Sequence, residues 1–129
     1  MSDYKTNKGN LERALKSLQD SVSAPILEKR DLSGIIKDFE LVYELTWKTL
    51  QSLLKEEGIA APFPRVVFEE AFKRGLFTEN HIWKEIMEAR NRSTHVYSEE
   101  DARKLSEEII KKYYASFEKC FREMSAAKP

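Results

Sequence analysis

Apolar residues recur in steps of three and four along most of the chain, with polar residues between them. This spacing is that of one face of an α-helix. It predicts five helices, at about residues 10–23, 31–57, 64–74, 78–94 and 98–124. No segment alternates with a period of two for long enough to predict a strand. The pattern therefore predicts an all-α fold, an antiparallel bundle of the four-helix type with about five helices.

Glycine and proline residues separate the predicted helices. Pro25 follows the first helix, and Gly58 follows the second. Gly75 comes directly after Lys73 and Arg74, and a glycine after a basic last turn is typical of a helix C-terminus. No repeat, low-complexity tract or long linker interrupts the pattern. We therefore expect residues 1–129 to form a single domain.

Composition narrows the class of protein. The chain is 41% apolar and 34% charged, too apolar for a disordered chain and too charged for a membrane protein. Hydrophobic runs are short, and the N-terminus lacks the pattern of a signal peptide. Cys120 is the single cysteine, which excludes an intramolecular disulfide and cysteine-based zinc sites. We expect a cytoplasmic protein with no membrane partner, no metal and no cofactor.

The segment 90–97 carries the chemistry that a helical bundle does not require. It contains two arginines, Arg90 and Arg92, together with Asn91, His95 and Tyr97. Forked cationic donors, neutral donors and a group that titrates near neutral pH suit the handling of phosphate. The chain has 22 basic and 22 acidic residues, so any contact with nucleic acid would use a local site rather than bulk charge.

Helical spacing leaves open how these residues act together. Arg90 follows Trp83 and Met87 in steps of four and three, so it lies on or beside the apolar face of the fourth helix. On a regular helix, Arg90 and His95 differ by about 140° and about 7.5 Å. Either the helix unwinds before His95, or the two side chains meet across a symmetric interface, or they act separately. A purely structural role is also open, with Arg90 paired to an acid such as Glu44 and His95 bonded to a helix-terminal carbonyl.

Several blocks of the sequence resemble the HEPN superfamily, and within it the nucleotidyltransferase substrate-binding proteins. The superfamily motif Arg-x4-His corresponds to Arg90 and His95, and its fuller form adds Asn91 and Tyr97. Residues 39–50, with the Trp47-Lys48 pair, resemble the long second helix of that family, and residues 64–83 resemble its next block. The resemblance covers about residues 10–120.

The resemblance implies a homodimer in which the motifs of two subunits face one cleft. It also implies a minimal nucleotidyltransferase partner encoded nearby, in a prokaryotic toxin–antitoxin module. Many HEPN proteins are metal-independent ribonucleases, so we expect an endoribonuclease toxin. His95 would transfer protons, Arg90 would bind and stabilise the scissile phosphate, and Asn91 would orient the reacting groups. Arg92 would help bind substrate, and Tyr97 matches the tyrosine that receives AMP in related modules.

Two other functions remain open. The chain could be a non-catalytic subunit that binds a nucleotide or another substrate for a separate nucleotidyltransferase. Its zero net charge favours this alternative, because RNA binding usually shows a basic bias. It could also be a helical protein–protein module. Catalysis requires His95, nucleotide binding depends more on Arg90, and an interaction module tolerates both substitutions.

Overall fold

The computed structural model describes residues 3–127, in which all regular secondary structure is helical and there is no β-strand. Its helices are α1 Tyr4–Ser23, α2 Lys29–Glu56, α3 Pro64–Lys73, α4 Asn80–Ser93, α5 Glu99–Glu108 and α6 Tyr114–Ala126, the last two joined by a π-helical turn at Ile109–Tyr113. The all-α prediction is confirmed. The described part leaves out residues 1, 2, 128 and 129. The single-domain prediction includes all four, and the prediction that the N-terminus lacks a signal peptide includes the first two.

Helix α1 begins six residues before its predicted start. The carboxylate of Asp3 caps the helix by accepting the backbone N–H of Thr6 at 2.7 Å. The first two turns are held by buried polar contacts with distant helices. The hydroxyl of Tyr4 donates to the carbonyl of Met124, and the amide of Asn7 donates to Ser52. Because these residues are polar and their partners are remote, apolar periodicity does not detect this part of the helix.

Contacts between side chains define the directions of the helices. The start of α1 contacts the end of α2, through Asn7 and Ser52, and the end of α1 contacts the first half of α2, through Ser21 and Asp38. Arg90 of α4 contacts Glu40 and Glu44 of α2. Glu85 near the start of α4 contacts Lys112, and Arg92 near its end contacts Glu108. Tyr4 at the start of α1 contacts Met124 near the end of α6. Neighbouring helices α1, α2, α4 and α5–α6 therefore run antiparallel as a four-helix bundle.

The core joins these helices through aromatic rings. Trp83 of α4 packs with its ring centroid 5.4 Å from that of Phe117 and 5.2 Å from that of Phe68 on α3. Phe39 of α2 lies 5.9 Å from Phe117, also between centroids. All four side chains are at most 2% exposed. Within residues 3–127, no helix has both the length and the hydrophobicity needed to cross a membrane.

The predicted fifth helix contains a π-turn that the pattern did not reveal. The backbone N–H of Tyr114 donates to the carbonyl of Ile109, five residues earlier, where an α-helix would use a residue four earlier. The buried residues of this stretch, Leu105, Ile109, Tyr113 and Phe117, follow one another in three successive steps of four. Steps of four drift around a regular α-helix, and the wider turn corrects the drift.

Cys120 lies in the core of α6, as its position in the apolar pattern predicts. It is fully buried. Burial raises the pKa of its thiol to about 12, and the nearby charge of Glu123 adds to this effect. Since the thiolate is the reactive form of cysteine, the native protein offers no cysteine nucleophile at neutral pH.

Candidate functional site

The fourth helix ends before it reaches His95. The last residue of α4 is Ser93, and the backbone N–H of His95 closes a turn on the carbonyl of Arg92 at 2.8 Å. His95 therefore lies in the loop that joins α4 to α5. The helix thus unwinds before His95, but this unwinding does not bring the His95 side chain to Arg90.

Arg90 lies against α2. Its Nη1 is 3.3 Å from the carboxylate of Glu40, and its Nε is 3.7 Å from that of Glu44. Ser93 links the same groups, since it lies 3.2 Å from Nη1 of Arg90 and its hydroxyl donates to Glu40. The contact with an acid such as Glu44 that the structural interpretation requires is present, and Glu40 is a closer partner.

The electrostatics of this cluster explain how an arginine can occupy the inner side of α4. The side chain of Arg90 is 26% exposed, and a partly desolvated guanidinium is costly unless it is paired. Glu40 and Glu44 supply two negative charges for one positive charge. The same surroundings affect Tyr43, whose pKa is raised to about 12 mainly by burial, with Glu44 adding to the shift and Arg90 opposing it. A phosphate bound at Arg90 would have to share or displace these carboxylates.

His95 is exposed and contacts Tyr97. Its Nδ1 lies 3.0 Å from the tyrosine hydroxyl, and the two rings meet edge to face with centroids 6.1 Å apart. Within residues 3–127, the other ring nitrogen of His95 has no hydrogen-bond partner. Tyr97 is 84% exposed. The tyrosine therefore holds one side of the imidazole while the other side remains available for proton transfer.

The imidazole opens into a groove of about 510 Å³, which we call the His95 groove. It is lined by Asn91, Arg92, His95, Val96, Asp101, Lys104 and Leu105. The structure thus brings together three predicted site residues, Asn91, Arg92 and His95. Arg92 also lies 3.4 Å from Glu108 on α5. Cationic groups and an amide around a histidine could hold a phosphate group.

Arg90 and His95 are not brought together within one chain. No hydrogen bond or ion pair between them occurs in residues 3–127, because Arg90 contacts α2 while His95 contacts Tyr97. His95 also does not bond a helix-terminal carbonyl through its ring, so that interpretation is wrong for the side chain. The arginine and the histidine of the Arg-x4-His motif therefore lie on different parts of the surface of a single chain.

Glu40 and Lys104 are among the residues of the site that were not predicted from the sequence. Glu40 and Glu44 lie four apart and so share one face of α2. An acidic pair on a helix face and an arginine on an apolar face are complementary, and this complementarity was the available signal for Glu40. Lys104 carried no such signal, because it lies on a polar, solvent-facing side of α5.

In the described part of the chain, no group of three or more histidine, cysteine, aspartate or glutamate side chains is placed to hold a metal ion.

The fold and site define an all-helical bundle protein with a polar, histidine-containing groove where its fourth helix ends. Residues 6–126 match the family described as "Nucleotidyltransferase substrate binding protein like". The chain belongs to this family, which confirms the resemblance found in its sequence.

Two individual proteins extend the comparison. The chain is 27% identical over 118 residues to a "Probable ribonuclease HepT" from Haemophilus influenzae, covering 79% of this chain and 81% of that protein. It is also similar to a crystal structure of a protein from Thermus thermophilus, with a TM-score of 0.80 and 25% identity over 88% of this chain and 98% of that one. The first relative links the fold to a ribonuclease name, and the second supports the observed helical arrangement.

Proposed function

We propose that this protein is a HEPN-type, metal-independent endoribonuclease that acts as the toxin partner of a minimal nucleotidyltransferase. The observation that carries the proposal is the exposed imidazole of His95, held on one side by Tyr97 and bordered by Asn91 and Arg92. A titratable group beside phosphate-binding side chains suits proton transfer at a phosphodiester. The name of the Haemophilus influenzae relative supports the same reaction class.

The reaction uses the nucleophile that RNA itself carries. The 2′-hydroxyl oxygen attacks the adjacent phosphorus, and the bond from phosphorus to the 5′-oxygen of the next nucleotide breaks. His95 accepts the proton of the 2′-hydroxyl or supplies a proton to the departing 5′-oxygen. Arg90 stabilises the charge that develops on the phosphate, and Asn91 and Arg92 bind and orient it. The products are a 2′,3′-cyclic phosphate and a 5′-hydroxyl.

The working unit in this proposal is a homodimer. In a single chain, Arg90 contacts α2 and His95 faces another part of the surface. A symmetric pair of chains would allow Arg90 of one chain to approach His95 of the other at a common cleft. This arrangement gives the two motif residues a shared substrate without any rearrangement of α4.

Tyr97 is the proposed site of control by the nucleotidyltransferase. Its hydroxyl oxygen would attack the α-phosphorus of ATP, lose its proton and release pyrophosphate. The resulting phosphodiester would stand beside the imidazole that the hydroxyl now contacts, and would block it. Mass spectrometry after incubation with the partner and ATP is expected to find one adenylyl group on Tyr97. An unmodified Tyr97 would remove this part of the proposal.

A second candidate is a non-catalytic subunit that binds a nucleotide or another substrate for the nucleotidyltransferase. The zero net charge of the chain favours it, because RNA binding usually shows a basic bias. The family description also names substrate binding. In this case Arg90 and Arg92 contact phosphate without turnover, and substitution of His95 has little effect on binding.

The reaction is tested with two matched oligonucleotides in excess EDTA. One is RNA, and the other has the same sequence with 2′-deoxyribose at every position. We expect cleavage of the RNA alone, with products that end in a 2′,3′-cyclic phosphate. Cleavage of the deoxy strand at a comparable rate, or a requirement for a divalent ion, would contradict the mechanism.

A further inference from the structure

A second groove lies on the other side of Tyr97, between the start of α2 and the loop that joins α4 to α5. Its volume is about 390 Å³, and we call it the α2 groove. Val96 lines both this groove and the His95 groove. Tyr97 lines the α2 groove while its hydroxyl contacts His95. The two grooves therefore meet at residues 95–97.

One wall of the α2 groove is a row of polar side chains on α2. Lys29, Ser33 and Lys37 all line the groove and are all exposed. They are four residues apart, so they lie on one face of the helix with a rise of about 6 Å from each to the next. The row offers an ammonium, a hydroxyl and a second ammonium, which are donors that suit phosphate oxygens.

The positive charges of this row are not neutralised inside the groove. Two carboxylates also line it, but Glu40 is paired with Arg90 at 3.3 Å and Glu99 is paired with Arg103 at 3.4 Å. Within residues 3–127, neither Lys29 nor Lys37 forms an ion pair. The two lysines are therefore available to an external anion.

The remainder of the groove is apolar and includes an exposed aromatic ring. Ile36 and Ala102 are each 8% exposed, and Val96 is half-buried beside them. Tyr97 presents its ring at the edge of these residues with 84% exposure. An unstacked base binds proteins through such surfaces, because its flat face packs on apolar and aromatic side chains.

We infer that the α2 groove is a nucleotide-binding subsite, with phosphate on Lys29, Ser33 and Lys37 and the base against Ile36, Val96 and the Tyr97 ring. This inference rests on the proposed function in one respect: the nucleotide bound here would adjoin the phosphate at His95 when it belongs to an RNA strand. A free nucleotide presents the same chemistry.

Binding of a short, fluorescently labelled single-stranded RNA tests the lysine row. The measurement uses the His95→Ala background to prevent turnover, and compares Lys29→Ala/Lys37→Ala with Lys111→Ala/Lys119→Ala. The control lysines are likewise exposed, eight residues apart on the helical C-terminal segment, and without ion pairs in the described residues. Two lost phosphate contacts are expected to lower the slope of log affinity against log salt by about 1.4, and to weaken binding about 25-fold at 0.1 M salt. Equal affinities of the two double variants would overturn the inference.

Amide NMR spectra of the 15.1 kDa protein then identify the ligand. AMP, the same RNA and inorganic phosphate are added separately. RNA or AMP is expected to shift the amides of residues 33–37 and 96–97, whereas inorganic phosphate is expected to shift those of residues 33–37 alone. Shifts with RNA but not with AMP would identify an RNA strand as the ligand, and shifts with AMP but not with RNA would identify a free nucleotide. The same shifts with phosphate would overturn the inference, because the base would then contribute nothing.

The ribonuclease proposal and the subsite are tested by separate results. It fails if wild-type protein does not cleave RNA, whereas the subsite fails if the Lys29 and Lys37 substitutions do not weaken binding. The first result comes from a cleavage assay and the second from a binding assay, so either proposal can be correct when the other is wrong.

Discussion

Arg90 is the residue at which sequence pattern and chemistry conflict, and its surroundings resolve the conflict. An arginine on the inner side of α4 is stable because Glu40, Glu44 and Ser93 surround its guanidinium. The ion pair with Glu44 could be predicted from the apolar position of Arg90. The acidic pair on α2 was a signal for Glu40 as well, but which of the two carboxylates lies nearer to Arg90 depends on how α2 and α4 cross.

Substitution of Glu40 tests this cluster. Glu40→Ala is expected to lower the free energy of unfolding by about 1–3 kcal/mol, because it leaves Arg90 and the Ser93 hydroxyl without their shared acceptor. Glu40→Gln keeps an acceptor and should cost less. Urea unfolding measures both, with Glu100→Ala as the control for loss of an exposed acidic side chain. A Glu40→Ala variant as stable as that control would show that the cluster contributes nothing to folding.

At the scale of whole elements, periodicity predicted the helices whose buried faces are apolar and missed features fixed by polar contacts. The bounds of α2 and α3 lie within two residues of those predicted, since Gly58 follows the end of α2 and Pro64 begins α3. The early start of α1 depends on Asp3, Tyr4 and Asn7, whose partners are remote in sequence. The π-turn was visible only as three steps of four, which a search for helical spacing accepts without distinction.

Two single-residue deletions test the interpretation of the π-turn as one inserted residue. Without Lys111, the buried residues that now follow in steps of four would follow alternately by three and four, which suits a regular α-helix. This deletion is expected to leave the helical fold intact. Deletion of Lys119 would instead rotate Cys120 and Met124 by about 100° away from the core, at a cost of about 2–5 kcal/mol.

Circular dichroism during thermal unfolding compares the two deletions. Neither lysine belongs to the buried core, so neither deletion removes a core side chain. We expect a large difference in unfolding temperature, with the Lys111 deletion the more stable. Equal destabilisation would contradict this expectation, and would mean that the π-turn is not an insertion in an otherwise regular helix.

At the scale of the molecule, the bundle places an arginine and a histidine on different parts of one chain. The sequence identified both residues and the loop between α4 and α5, because the residue types there are unusual for a helix junction. It could not decide whether they act in one chain or across two, since that depends on surfaces rather than on spacing. If the site forms across the proposed homodimer, dimers that combine two different variant chains have a predictable activity.

Mixing two inactive variants tests the shared cleft. Arg90→Ala and His95→Ala chains, unfolded together and refolded at equal concentrations, should form about half mixed dimers, in each of which one of two composite sites is intact. About a quarter of the wild-type ribonuclease activity is then expected. Size-exclusion chromatography with light scattering checks that dimers form. No recovery of activity from mixed dimers would mean that each site uses residues of one chain.

The chain provides its own control for the proposed proton transfer by His95 during RNA cleavage. Its other histidine, His81, is also exposed and lies on α4. Wild-type protein, His95→Ala and His81→Ala, matched for helical content and assembly, are incubated with RNA in excess EDTA. We expect cleavage by the wild type and by His81→Ala, and a loss of activity of at least about 100-fold for His95→Ala. Equal cleavage by the two variants, or none by folded and unmodified wild-type protein, would contradict this expectation.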